Sequence, residues 1–192
     1  MTEEHLLEPH LGMTIIIEKH KAVEKILHQE VVVIFQKHSE WGPRALGNRS
    51  LLFDPRNKNG KDIVNKIKKR EWYRPFAGSV LLEYANDWFE MGAIEESPYM
   101  TFAIPVKEHK KHLIPSITHV DGTCRIQTVT EKQNKNFYDL IKLFYKKTNV
   151  PILFNTSFNL AGEPLVETKE DAFDTLKRSG LKYLYMPEEG TP

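Results

Sequence analysis

Apolar residues at Ala22, Val23, Ile26 and Leu27 recur with the spacing of one helix face, and they lead into the continuous apolar stretch EVVVIFQ at 30–36. The first pattern predicts a helix beginning near Glu18, the second a buried strand. Gly42, Pro43 and Gly47 break residues 39–47 into a loop, and SLLF at 50–53 predicts a short strand ending at Asp54 and Pro55. Residues 57–69 put Ile63, Val64 and Ile67 on one face with lysines around the rest, the pattern of an amphipathic helix. Lys58, Lys61 and Lys66 are then its solvated face.

Strands are expected at 74–84, at 98–106 with Pro105 marking an edge or an end, and at 123–130. The last of these alternates, with Cys124, Ile126 and Thr128 on one side and Arg125, Gln127 and Val129 on the other. Trp88, Phe89 and Met91 read as a packed turn. Phe137, Leu140, Ile141, Phe144 and Tyr145 form the strongest helical stripe, and an apolar strand at 151–154 delivers a polar loop at 155–162. Thr168 with Asp171 three residues on marks the start of a last helix and Gly180 its stop, before 181–186 closes the sheet. The count is about six or seven strands and four helices in no simple βαβ order. The fold class expected is α+β, with a mixed sheet and flanking helices. Residues 1–12 lack periodicity and read as a tail or linker; 13–192 form the domain.

The chain has 192 residues, 40% of them hydrophobic and 28% charged, with a net charge of +1. These values fit one folded domain and exclude a disordered one. No apolar run reaches the roughly eighteen residues of a membrane helix, and the first thirty lack a signal-peptide pattern. The single Cys124 makes no internal disulfide, which fits a reducing cytoplasm. The near-neutral charge makes bulk nucleic-acid affinity unexpected. The eight histidines are scattered without carboxylate or cysteine support, so no metal site is expected within the chain. There is no P-loop, dinucleotide fingerprint or serine-nucleophile motif.

The cations, by contrast, are concentrated. Between Glu40 and Phe76 ten Lys and Arg stand against four acids, interleaved with Gly, Pro and Trp. Such a focus suits a small anion or a phosphate chain. If the segment after the lysine-rich helix is extended, Lys68 and Arg70 share a face and converge on one anion, with Arg74 a third cation. The second constellation is Asn155, Ser157 and Asn159, short hydrogen-bonding side chains after an apolar strand, which equally suit a capped turn. The turn at His119 to Gly122 stands before Arg125 and reads either as a structural turn or as a source of an imidazole and a carboxylate.

Taken in series, EWGPRALGNRS, DPR, NKIKKREWYRPFAGSVL, HVDGTCRIQTV and NTSFNLAGEPLV resemble the successive signatures of the carbamoyltransferase C-terminal domain of O-carbamoyltransferases. The resemblance runs from about Leu11 to Met186, departing at Gln36-Lys37-His38 and Ala77-Gly78. It implies the YrdC-like fold shared with threonylcarbamoyl-adenylate synthases, in which a Lys-x-Arg and a Ser-x-Asn pair line the nucleotide site. Lys68 and Arg70 match the first pair, Ser157 and Asn159 the second. The implied reaction turns carbamoyl phosphate and ATP, with Mg²⁺, into carbamoyl-adenylate. A Kae1-like domain that binds iron then passes the carbamoyl group to a hydroxyl. That domain is expected from a partner chain or a missing N-terminal region, since this sequence begins where the family's interdomain linker lies. The resemblance assigns Lys68, Arg70 and Arg74 to phosphates, Arg125 to the carbamoyl group or its phosphate, and Asn155, Ser157 and Asn159 to the nucleotide, with Arg44 nearby. The alternative is a YrdC-like module that binds RNA or nucleotide without turnover.

Overall fold

The computed structural model describes residues 14–188; the tail expected at 1–12 lies outside them. The described chain runs β1 (Ile15–Ile17), α1 (Lys19–Leu27), β2 (Val32–Phe35), β3 (Arg49–Phe53), α2 (Gly60–Ile67), β4 (Ala77–Leu81), α3 (Ala85–Trp88), β5 (Ala103–Pro105), β6 (Thr123–Val129), α4 (Lys135–Thr148), β7 (Ile152–Ser157), α5 (Lys169–Ser179) and β8 (Tyr183–Tyr185). The eight strands form one mixed sheet in the order β1-β8-β2-β3-β7-β4-β6-β5. The β1–β8, β8–β2 and β4–β6 pairs are parallel and the others antiparallel.

β2, β3 and β4 are buried along their whole length, and β2 accordingly reads in the sequence as an unbroken apolar run rather than as alternation. The α4 stripe buries Phe137, Leu140, Ile141 and Phe144, and α1 buries Ala22, Val23 and Ile26. Both predicted caps of the last helix are present. The Thr168 side chain accepts from the Asp171 N–H, Asp171 accepts from the Thr168 N–H, and Gly180 ends the helix at φ +73°.

Several boundaries differ from the sequence reading, each for a local reason. The strand expected at 74–84 shortens to β4, because a turn closed by Arg74 N–H to Glu71 O and followed by Pro75 precedes it. The one expected at 98–106 shortens to β5, whose Pro105 lies at the sheet edge. Three isoleucines make β1, too short a run to register as periodic. The polar loop expected from Asn155 is instead strand as far as Ser157, since β3 supplies partners to Asn155, Thr156 and Ser157.

Strand register places the site. Ala77 of β4 stands opposite both Arg125 of β6 and Asn155 of β7, and Ser79 opposite Gln127. Opposed residues share a face, so these five side chains and Ser157 lie on one side of the sheet.

Candidate functional site

The loop at residues 39–48 is held at its base and free at its tip. One Glu40 carboxylate oxygen accepts from the Leu46, Asn48 and Arg49 N–H groups at 2.6, 2.8 and 3.4 Å. The Ala45 and Leu46 carbonyls are drawn to the sheet by Asn155 Nδ2 at 3.1 Å and Gln127 Nε2 at 2.9 Å. Asn155 Nδ2 also donates to Ser79 Oγ, which donates to Gln127 Oε1, so a buried polar network underlies the loop. Arg44, just before the pinned carbonyls, is carried out over the sheet. Arg49 takes no part: buried, it donates to the carbonyls of Gln36, Lys37, Asn48 and Glu167 and sits 3.6 Å from the Phe35 ring centre.

The run from Lys68 to Arg70 is not extended. Helix α2 ends at Ile67, Lys68 keeps a helical backbone, and Lys69 turns left-handed at φ +53°, so the Arg70 N–H reaches back to Asn65 O. The two cations therefore part at the turn. Arg70 reaches the sheet face, with Nε 2.6 Å from Asn65 Oδ1 and its guanidinium 4.3 Å from the Phe76 ring centre. Asn65, buried in α2, also donates to the Trp72 and Arg74 carbonyls and so sets the whole turn. Lys68, only 3% exposed, points to the end of β7. Its ammonium donates to Asn159 O and Asn159 Oδ1 at 2.8 Å each, to Ser157 O, and to Ser157 Oγ at 3.3 Å.

Arg44, Arg70 and Arg125 converge with Phe76, Asn155 and Ser157 on a cavity of about 80 Å³. No carboxylate lines it. Arg70 Nη2, Arg125 Nε and Asn155 Oδ1 are buried without a hydrogen-bond partner. Burial, then the Arg74 and Arg125 charges, push Arg70 down to about 10; burial, then Arg44, lowers Arg125. Clustered guanidiniums with unused donors, and no carboxylate in the lining, suit an anion. A groove of about 520 Å³ shares the Pro43–Arg44 wall and carries the exposed rings of Trp41 and Tyr99.

Of the residues expected in the site, Arg44, Arg70, Arg125, Asn155 and Ser157 line the cavity, while Lys68 and Asn159 stand behind Ser157. Arg74 lies outside the lining, half-exposed, with Nε 2.7 Å from Glu71. The His119 turn is structural: its ring bonds the Phe76 carbonyl and Thr123, and Asp121 caps Thr123. Sequence reasoning missed Glu40, Asn65, Ser79 and Gln127 as supports of the site. The signal available for two of them was a polar residue in an apolar pattern, Asn65 beside Val64 and Ser79 between Gly78 and Val80.

Burial, with the Arg70 charge second, pushes the Lys68 ammonium down from the ordinary 10.5 to about 7. Its oxygen partners favour the charged form, but desolvation prevails. The folded state then binds fewer protons than the unfolded chain between those two values. This group's penalty on folding is therefore complete below about pH 7 and is relieved as pH rises toward 10.5. Urea unfolding at about pH 7 and about pH 9.5 should show a gain in stability that Lys68→Met lacks. Equal slopes in the two proteins would mean that this ammonium is not desolvated.

The mixed sheet with its flanking helices defines a fold class, the YrdC-like α+β domains. P. abyssi Sua5 complexed with L-threonine superposes with a TM-score of 0.66 at 16% identity, over 91% of this chain and 50% of that one. Full-length HypF in its phosphate- and nucleotide-bound form gives 0.62 at 17% identity, over 89% and 25%. At such identities the likeness is one of fold alone. Within that class the chain belongs to the carbamoyltransferase C-terminus family, which matches residues 23–189. It is 50% identical over 163 residues to the nodulation protein NolNO of Sinorhizobium fredii, covering 84% of this chain and 24% of the relative. With NolO of Bradyrhizobium diazoefficiens the identity is 46% over 162 residues, 83% of this chain and 30% of the relative. The chain thus spans less than a third of either relative's length. Among the described residues no helix is long and apolar enough to cross a membrane, and no group of three or more His, Cys, Asp or Glu is placed to hold a metal ion.

Proposed function

We propose that this domain forms carbamoyl-adenylate from carbamoyl phosphate and ATP, for transfer of the carbamoyl group to a hydroxyl acceptor by a Kae1-like domain supplied from elsewhere. The observation that carries the reading is the convergence of Arg44, Arg70 and Arg125 on a cavity without carboxylates, with buried donors unpaired. Family membership supports the carbamoyl substrate.

Water cleaves carbamoyl phosphate to carbamate and phosphate. A carbamate oxygen then attacks the α-phosphorus of ATP, forming one P–O bond as the bond to pyrophosphate breaks. Negative charge grows on the leaving pyrophosphate, so the protein contributes positioning and fixed cations. Arg70 takes the phosphate chain, joined by Arg74 if it leaves Glu71, and Arg125 takes the carbamoyl group or its phosphate. Ser157 and Asn155 orient the nucleotide at the cavity wall, and Asn159 does so through Ser157. A cavity of about 80 Å³ suits the reacting groups, and the adjoining groove of about 520 Å³ has room for a nucleoside. With no carboxylate in the lining, Mg²⁺ would be held through phosphates and water.

The test is incubation of the purified chain with ATP, Mg²⁺ and carbamoyl phosphate, following pyrophosphate release and detecting carbamoyl-adenylate by mass spectrometry. Product that requires both substrates is the expected result. Pyrophosphate release indifferent to carbamoyl phosphate, or no product from a folded chain, overturns the reading for this domain acting alone.

A further inference from the structure

We infer that Lys68 is a positioning residue: its ammonium fastens the strand end at Ser157 to Asn159 against the turn after α2, and so sets the cavity wall without touching the anion itself. The inference rests on the reading that the cavity is the substrate site. Its geometric part stands without that reading.

Four oxygens of Ser157 and Asn159 surround the Lys68 ammonium, which has three protons to donate, and Lys68 does not line the cavity. A further bond joins the same two segments, from the Ala161 N–H to Lys68 O at 3.0 Å. Ser157 Oγ donates to Asn159 Oδ1 at 2.7 Å, and Asn159 Nδ2 to Glu163 O at 2.7 Å, so the clamp extends into the following turn. The charge that bears on the Lys68 ammonium is Arg70, which faces the cavity; Glu163, on the turn beyond, pairs with Arg178 and bears on Lys69. Neither neutralises the ammonium. The Lys-x-Arg pair therefore divides its work: Arg70 presents a free N–H to the cavity, while Lys68 spends its protons on protein oxygens.

Charge-assisted hydrogen bonds are among the stronger polar contacts, so their loss should loosen the segment visibly. In ligand-free protein, Lys68→Met should speed hydrogen exchange at the Phe158, Asn159, Ala161 and Val166 amides by roughly tenfold. Arg70→Met should leave those amides within about twofold of wild type. In the adenylation assay Lys68→Met should lower kcat more than it raises the KM for ATP, and Asn159→Ala should reproduce that split. Arg70→Met should raise the KM. Unchanged exchange in Lys68→Met together with a raised KM for ATP would overturn the inference and make Lys68 a phosphate ligand. If Lys68→Met fails to fold, Asn159→Ala removes an acceptor from the opposite side and the exchange measurement decides alone. If the chain makes no adenylate at all, exchange in the ligand-free protein still decides the role of Lys68, separately from the proposed reaction.

Discussion

Arg125→Met should cost the domain its adenylation activity while making it more stable. Arg125 is partly buried on a strand that pairs with β4, its buried Nε finds no partner, and its charged neighbours are Arg44 and Arg70. In the empty protein such a cation is a burden, desolvated and repelled. Methionine keeps much of the stem's volume and removes the charge. Unfolding free energy should therefore rise by on the order of 1 kcal/mol, read from the midpoint of urea denaturation. Carbamoyl-phosphate-dependent pyrophosphate release should fall by about 10²–10³-fold, the usual loss when one donor to a developing anion is removed. A variant that is both less stable and fully active would show that Arg125 serves the fold and not the site. Arg70 offers no such separation, because its Nε is bonded to Asn65 Oδ1 and its removal leaves that oxygen without this partner.

Gly47→Ala should have the largest effect on stability of any glycine-to-alanine change among the described residues. Gly47 closes the loop that carries Arg44, at φ +103°, a conformation strained for any residue with a side chain. A Cβ there would overlap the ring of Phe137, which is fully buried at the start of α4. The backbone on either side is pinned, since the Gly47 N–H donates to Ser50 Oγ and its carbonyl accepts from Gln36 Nε2 at 2.8 Å. Strain and overlap together should cost about 3 kcal/mol or more. The expected result is a large fall in the urea midpoint, with the slope unchanged if unfolding stays two-state. A midpoint near wild type would mean that Phe137 and the start of α4 can yield. Gly162 makes a useful control: it also has a positive φ, +79°, but a Cβ there meets nothing, so alanine costs only the backbone strain.

Much of the site was legible because residue type and order carry it. Arg44, Arg70 and Arg125 stand in three separate segments, and their chemistry alone points to an anion. Lys68 and Asn159 were equally legible as members of the constellation, but not their direction. Whether a side chain one residue past a helix faces a cavity or the core depends on the left-handed turn at Lys69 and on Asn65, which holds Arg70 from within the helix. Asn155 and Ser157 looked like loop residues because small polar side chains favour turns. They are strand residues because β3, more than a hundred positions earlier, gives them backbone partners.

By itself the sequence determined the α+β class, the apolar stripe of α4, the capped helix α5, the apolar strands β2 and β3, and the kind of ligand that its clustered arginines would attract. These depend on periodicity, capping residues and side-chain chemistry, all of which act over a few positions. Only the tertiary structure decided which cations share a cavity, that Arg49 is buried among carbonyls, and that Ser79, Gln127 and Asn155 form the floor beneath the Arg44 loop. The floor follows from the pairing of β4 with β6 and β7, strands distant in sequence, and the burial of Arg49 from the pairing of β3 with β2. Pairing sets which side chains share a face, and burial then sets which of their polar atoms keep a partner.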